Sequence, residues 1–363
     1  MVKYGQEIQQ KNVFRLIGDK EMKEQIKKII ARNPILYIFL QLCKYRKDKE
    51  YIELVRGLRD NPNIINAYKG EKNFDKTICL VEVGGDNDGF FACVRWALDG
   101  LYFCNQFGFI PVVKFSDNSL YSDNSFPDNK NVFEYYFKQP SNIQIKDIKK
   151  YSYIQYSSRN RLLAESLNGG VNYEVSEEYQ NQMAQIMRKY LRFNDDVNTL
   201  IKQSVIERKI NDKVLGVHIR GTDYKANYKN HPSYIPPEEY YSHIYEAFKM
   251  GKFNQIYLAT DDQEILDSFI QEFGKEKVLY AKNNARGTGN KGVHITEKTN
   301  HYQTGLDVIC DMATLSYCNG IISGLSQVST MARIYKKSRN EEFMYDKKLN
   351  NGINKTGKSF SVK

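Results

Sequence analysis

The sequence predicts an α/β protein of two doubly wound units, on three observations. From Val214 onward, apolar runs of strand length alternate with amphipathic helical stretches, a pattern that gives a parallel sheet with right-handed crossovers. An earlier stretch repeats the logic once: strand Thr77–Val83, the turn Gly84-Gly-Asp-Asn-Asp-Gly89, helix 90–107 and strand Phe109–Phe115. The run Val214–Ile219, interrupted only by Gly216 and His218, reads as a strand covered on both faces. It turns polar at its carboxyl end, in Arg220-Gly-Thr-Asp223. In open α/β sheets ligands bind beyond the carboxyl ends of strands.

Taken in order, residues 1–75 read as a helical extension broken at Asn33-Pro34 and Asn61-Pro62, with helices near 20–31, 35–46 and 49–58. Residues 76–195 form the first Rossmann-like unit. Its glycine-rich turn, with Gly85 and Gly89, lets backbone approach a ligand, and a tight turn capped by aspartates fits equally well. The turn lacks both the Gly-x-Gly-x-x-Gly spacing and a Gly-Lys-Ser/Thr ending, so neither a nicotinamide fingerprint nor a P-loop is supported. Asp86 and Asp88 are placed for a general base. From Ser116 to Gly170 the chain is polar, aromatic and irregular, and the aromatic run Asn131–Pro140 suits core packing. Helix 177–190 follows, then Asn194-Asp-Asp196 opens a helix to Arg208.

Residues 196–340 form the second unit: strand 214–219, helix 237–250, strand 255–260, helix 263–273, strand 277–280, helix 302–318, strand 320–323 and helix 326–337. The loop Asn284–Gly292 reads as a connector with a possible lid role. Residues 341–363 form a basic tail expected to fray.

Composition bounds the function. The 363 residues carry 41% hydrophobic and 26% charged side chains, as soluble globular proteins do. A net charge of +10 suits an anionic partner or reflects lysine-rich usage in general. No helix-turn-helix, zinc or aromatic RNA-binding signature accompanies it, so nucleic acid is not expected. The six cysteines are widely spaced without a Cys-x-x-Cys pair, which predicts reduced core thiols and neither zinc nor disulfides. No signal-peptide pattern is seen, and a cytoplasmic protein, with peripheral contact to an anionic membrane, is the expectation.

Four places carry chemistry. Arg220 offers a permanent cation whose planar fork matches phosphate oxygens. His218 is either a satisfied core group or part of a site, and Thr222 and Asp223 either cap the next element or face the ligand. Asp261, at the end of its strand, either caps through Glu264 or hydrogen-bonds a ribose or base. Asp307 and Asp311 share one helix face, with Asp311 the better placed for the crevice. Ser326 reads as the N-cap of the last helix, leaving the first-turn N–H groups at Ser326–Gln327 for an anion.

His218-Ile-Arg-Gly-Thr-Asp223 resembles the His-x-Arg-x-Thr-Asp motif of the fucosyltransferase superfamily, which includes α1,6-fucosyltransferases and protein O-fucosyltransferases. Leu258–Asp262 resembles its second motif, and Asp311 with Leu325-Ser-Gln-Val328 its third. The resemblance implies a GT-B fold of two Rossmann-type domains and an inverting, metal-independent transferase without cofactor, taking GDP-fucose as donor and a glycan hydroxyl as acceptor. It implies Arg220 on the donor diphosphate, and His218, Asp311 and Ser326 in the nucleotide site. Gly221 stands where the α1,6 enzymes have a second arginine and Tyr224 where they have lysine; no glutamate lies between Thr222 and Glu238 to match theirs. Asp88 is the substitute base by analogy with some protein O-fucosyltransferases. A transferase for another nucleotide sugar, or a non-catalytic nucleotide- or glycan-binding module, is the alternative on the same scaffold.

Overall fold

The computed structural model describes residues 39, 43–44, 46–47, 66–67, 78–85, 88–123, 126, 131–151, 153–156, 173–288 and 300–359. The helices expected at 20–31, 35–46 and 49–58 lie almost wholly outside these residues, as does Asp86.

The first half holds strands β1 (Asn66–Ala67), β2 (Ile78–Val83), β3 (Ile110–Phe115), β4 (Phe137–Lys138), β5 (Tyr153–Tyr156) and β6 (Arg192–Phe193). Helix α1 (Phe90–Phe107) crosses from β2 to β3, and α2 (Phe133–Tyr136), α3 (Glu177–Tyr190) and α4 (Asp195–Glu207) follow. The main sheet runs β1-β5-β2-β3, with β2 parallel to both β3 and β5 and β1 antiparallel at the edge. Helix α1 is apolar around most of its circumference because both of its sides are covered. It stops at Gly108, whose φ of 67° gives the left-handed terminus that glycine adopts at little cost.

The second half holds β7 (Val214–Ile219), β8 (Gln255–Thr260), β9 (Val278–Leu279), β10 (Gly320–Ser323) and β11 (Tyr345–Lys348). Its helices are α5 (Thr222–Lys225), α6 (Pro237–Lys249), α7 (Gln263–Phe273), α8 (His301–Tyr317) and α9 (Gln327–Ser338). The sheet is parallel throughout in the order β11-β10-β7-β8-β9. Every residue of the central strand β7 is buried, as its unbroken apolar pattern predicts. The α/β class with parallel sheets is therefore as expected.

Three elements differ from the sequence reading. Strand β5 emerges from a stretch read as irregular, where Tyr153-Ile-Gln-Tyr pairs with β2. The one-turn helix α5 follows Gly221 directly. The tail does not fray: Tyr345–Lys348 joins β10 as a parallel edge strand, and Asp346 pairs at 2.6 Å with the buried Arg333 of α9. Residues beyond it bond back to the loop after α5, through Ser233 N–H to Gly352 O (2.9 Å), Asn354 N–H to His231 O (2.9 Å) and Lys229 N–H to Lys358 O (3.0 Å). Its lysines hide this order from a compositional reading, because an edge strand alternates half-buried with exposed positions and tolerates charge on its open side.

One hydrophobic cluster joins the two sheets. It runs from Cys79 and Val81 of β2 through α1, α3, α8 and α9 to Val214 of β7, Tyr257 of β8 and Ile321 of β10. Cys79, Cys93, Cys104 and Cys318 lie within it, and burial pushes the Cys318 thiol up to about 12. The aromatic run around Val132–Phe137 is core, as expected. Tyr136 ties the halves together, donating from its hydroxyl to Tyr302 O at 3.1 Å and stacking on the Tyr302 ring at 5.4 Å. A β-carbon at Gly305 would overlap the Tyr136 hydroxyl. Gly305→Ala is therefore expected to cost about 1–3 kcal/mol through overpacking, read as a lower urea midpoint with an unchanged slope.

Candidate functional site

The second sheet sets two polar turns side by side. Strands β7 and β10 pair in parallel with His218 level with Ser323. Arg220 lies two residues past that rung, and Ser326, the N-cap of α9, three residues past it. The Ser326 hydroxyl accepts the Val328 N–H at 3.2 Å, as an N-cap does. On the other side β8 runs parallel to β7, Ile219 level with Thr260, which brings Asp261 beside Arg220.

Arg220 is held rather than free. Its Nε lies 2.8 Å from Asp223 Oδ1, its Nη2 donates to Asp223 Oδ2 at 3.1 Å, and its Nη1 lies 2.8 Å from Asp261 Oδ2. Burial opposes the charge, but the two carboxylates outweigh it and hold the guanidinium more firmly protonated than usual. A guanidinium has five N–H donors, so these contacts leave N–H groups of both Nη atoms for a ligand. Asp261 is the hub of the turn. It also accepts from Gly221 N–H (2.9 Å) and the Thr222 hydroxyl (2.6 Å), and although burial raises its pKa, Arg220 and these donors bring it below the ordinary range. The helix cap expected from Asp261 belongs instead to Asp262, which accepts from Glu264 and Ile265 N–H. Asp261 faces β7, so its oxygens are already engaged when the chain turns into α7.

Gly221 is explained by the same crowding. A β-carbon there would stand 2.5 Å from Asp262 Cβ and 2.8 Å from Ile265 Cδ1. The second arginine of the α1,6 enzymes has no room at this position.

Arg220, His218, Asp223, Asp261, Asp311, Ser326, Gln327 and Gly89 all line one cleft between the two sheets. Gly85 and Asp88 are not among the residues that line it. Gly84, at φ 91°, turns the chain back so that Asp88 N–H approaches Gly85 O at 3.4 Å and its carboxylate lies over Gly85. Asp311 and Asp307 both face the cleft, as their helical spacing predicts. Asp311 is heavily engaged, accepting the Tyr257 hydroxyl at 2.7 Å and Asn284 Nδ2 at 3.0 Å, with Arg208 3.4 Å away. Burial nevertheless keeps its pKa above the ordinary range, Arg208 opposing. The start of the loop at Asn284–Ala285 lines the cleft, and Gly287 is pinned to Asp261 O at 2.9 Å.

The sequence reading missed an aromatic wall of the cleft. Tyr121, Tyr173, Tyr224 and His231 line the cleft, and the Tyr121 hydroxyl accepts the Phe90 N–H at 3.0 Å, capping α1 in place of a polar N-cap. Burial pushes that phenol up to about 12. Buried Arg95 of α1 donates to the Tyr179 hydroxyl at 3.0 Å and reaches Gln327 Oε1 at 3.4 Å, linking the first half to the α9 start. Tyrosine abundance was the only signal for this wall.

His218 is 5% exposed, and its Nδ1 is buried with no hydrogen-bond partner among the described residues. Burial first, then the Arg220 charge, lowers its pKa to about 3, so it is neutral at pH 7. An unfolded histidine protonates near its ordinary value of ~6.5. Stability from this residue is therefore full above ~6.5 and is lost as pH falls toward the folded-state value, by up to about 1.4 kcal/mol per pH unit. His218→Gln should flatten the fall of the urea midpoint between pH 6 and pH 4; an unaltered slope would count against the neutral buried ring.

Residues 177–341 match the family model of α1,6-fucosyltransferase N- and catalytic domains. No curated protein matches the chain. Among solved structures, the fucosyltransferase NodZ from Bradyrhizobium is similar at 16% identity, over 72% of this chain and 93% of that one, with a TM-score of 0.42. POFUT1 in complex with GDP is similar at 10% identity, over 78% and 99%, with a TM-score of 0.44. The match over residues 177–341 holds Arg220, Asp261, Asp311 and Ser326, so this part of the chain is similar to the α1,6-fucosyltransferase domains.

Proposed function

We propose that the protein transfers fucose from GDP-fucose, with inversion and without a metal, to a glycan hydroxyl. The observation that carries this reading is the pairing of Arg220 with the α9 N-terminus at Ser326 in one cleft. Breaking a sugar–diphosphate bond builds negative charge on the leaving phosphate. Donors fixed before the reaction stabilise that charge without reorganising. Asp223 and Asp261 do the fixing, since a guanidinium clamped on two edges has one orientation. The helix start adds N–H groups and the positive end of its dipole. Buried, neutral His218 then offers its unsatisfied nitrogen to the nucleotide.

The acceptor we assign is a hydroxyl of a lipid-linked or surface polysaccharide, met in the cytoplasm at an anionic membrane; the overall +10 charge supports that placement. Among the described residues no helix is long and apolar enough to cross a membrane.

Arg220→Lys keeps a cation between the two carboxylates while removing the fork. It should lower kcat for GDP release from GDP-fucose by on the order of a hundredfold with a nearly unchanged melting temperature. Wild-type protein should turn over GDP-fucose in preference to GDP-mannose and UDP-sugars. Full turnover by the lysine variant, or no GDP binding by calorimetry, would refute the reading.

A further inference from the structure

Beyond β11 the chain forms a strap, residues 350–358, laid against the loop 227–233 that joins α5 to α6. Ile353 bridges Pro232 in the antiparallel sense. Backbone bonds run the length of the contact: Lys229 N–H to Lys358 O at 3.0 Å, and Asn230 N–H to Asn354 O, Asn354 N–H to His231 O and Ser233 N–H to Gly352 O, each at 2.9 Å. Asn354 adds its side chain. Its Oδ1 accepts the Ser233 hydroxyl at 2.8 Å and its Nδ2 donates to Tyr228 O at 3.3 Å, so one residue grips the loop on both sides of His231. Gly357 has a φ of 121°, which side chains rarely adopt, and a β-carbon there would stand 2.3 Å from Asn227 O. Strap and loop close to this distance only because position 357 carries no side chain.

The loop held in this way reaches the ligand side at two points. His231 lines the main cleft, and Ser233 borders a smaller pocket that it shares with His218, Arg220 and Ser326. The strap also bonds to the first half of the chain, Asn350 Nδ2 donating to Glu174 Oε2 at 3.3 Å. Glu174 follows Tyr173, another residue of the cleft, whose ring centroid lies 6.2 Å from that of His231. The strap therefore ties together the two segments that meet at this wall. Asn354 and Gly357 line neither cavity, so whatever they do for a ligand they do through the loop.

We propose that Asn354 and Gly357 are positioning residues for the donor, the strap that carries them fixing the loop 227–233 in its binding shape; the assignment rests on the fucosyl-transfer reading above. A loop pinned along its length has lost its freedom before the ligand arrives, so binding need not order it. Release of the loop therefore costs affinity. It leaves the chemical step nearly intact, because the carboxylates that orient Arg220 belong to Asp223 and Asp261, outside the strapped segment.

The test uses the full chain with Asn354→Ala and, separately, Gly357→Val. GDP binding is read by calorimetry, GDP release from GDP-fucose by steady-state kinetics, and the loop by amide hydrogen exchange over residues 227–235. Each variant should raise the Kd for GDP and the KM by about tenfold, with kcat held within about twofold and faster exchange confined to that loop. Asn354→Ala added to Ser233→Ala should weaken binding little further, since the two side chains share one hydrogen bond. If Gly357→Val also lowers the melting temperature, Asn354→Ala decides, because it leaves the backbone pairing in place. Unchanged loop exchange in Asn354→Ala, unchanged GDP affinity despite faster exchange, or a loss carried by kcat alone would each overturn the assignment. Failure of the wild type to bind GDP would instead overturn the donor reading, and this assignment with it.

Discussion

Everything in the cleft depends on the clamp that Asp223 and Asp261 place on Arg220. The two carboxylates come from different strands' ends, so the guanidinium reports the register of β7 against β8 as much as its own rotamer. The same contact accounts for Gly221, because drawing the turn onto Asp261 brings its backbone against Asp262 and Ile265. Two acids facing one cation leave the unliganded turn net negative. The surplus is tolerated because Gly221 N–H and the Thr222 hydroxyl also bond Asp261. Orientation is gained at the expense of raw attraction for an anion, and the helix start at Ser326 supplies the rest.

The second half was legible in the sequence because each of its elements has the period that its surroundings demand. Strand β7 is apolar on both faces and is covered on both; α7 carries its apolar residues at helical spacing, and Ile265, Leu266, Phe269 and Phe273 among them are buried. The parallel order then follows from crossover chirality, and with it the adjacency of Arg220, Asp261 and Ser326. Ser326 was recognisable as a cap from a local pattern alone. The confusion of Asp261 with Asp262 shows the limit of such patterns: both acids precede the helix, and only the neighbouring strand decides which one is pulled aside.

What stayed hidden is whatever depends on contacts between distant segments. Strand β5 is short and follows a long aromatic stretch, so nothing local announces that it will pair with β2. Tyr121 and Tyr173 line the same cleft as Arg220 only because the two halves meet there. Asp88 drew notice for its place beside a glycine, yet it is Gly89 and not Asp88 that lines the cleft. The tail was misread for a related reason: lysines signal solvent, and an edge strand can satisfy them while its backbone pairs along its inner side.

The shared core has a kinetic consequence. Because Leu306, Ile309 and Met312 of α8 pack in the same cluster as Phe90 and Val94 of α1, swinging one half away from the other would tear a continuous apolar seam and the Tyr136–Tyr302 stack with it. Breathing on that scale would be rare, and the entrance is effectively a fixed aperture rather than jaws. Such a port admits a ligand at a rate set by diffusion and rim charge, and any gating falls to side chains.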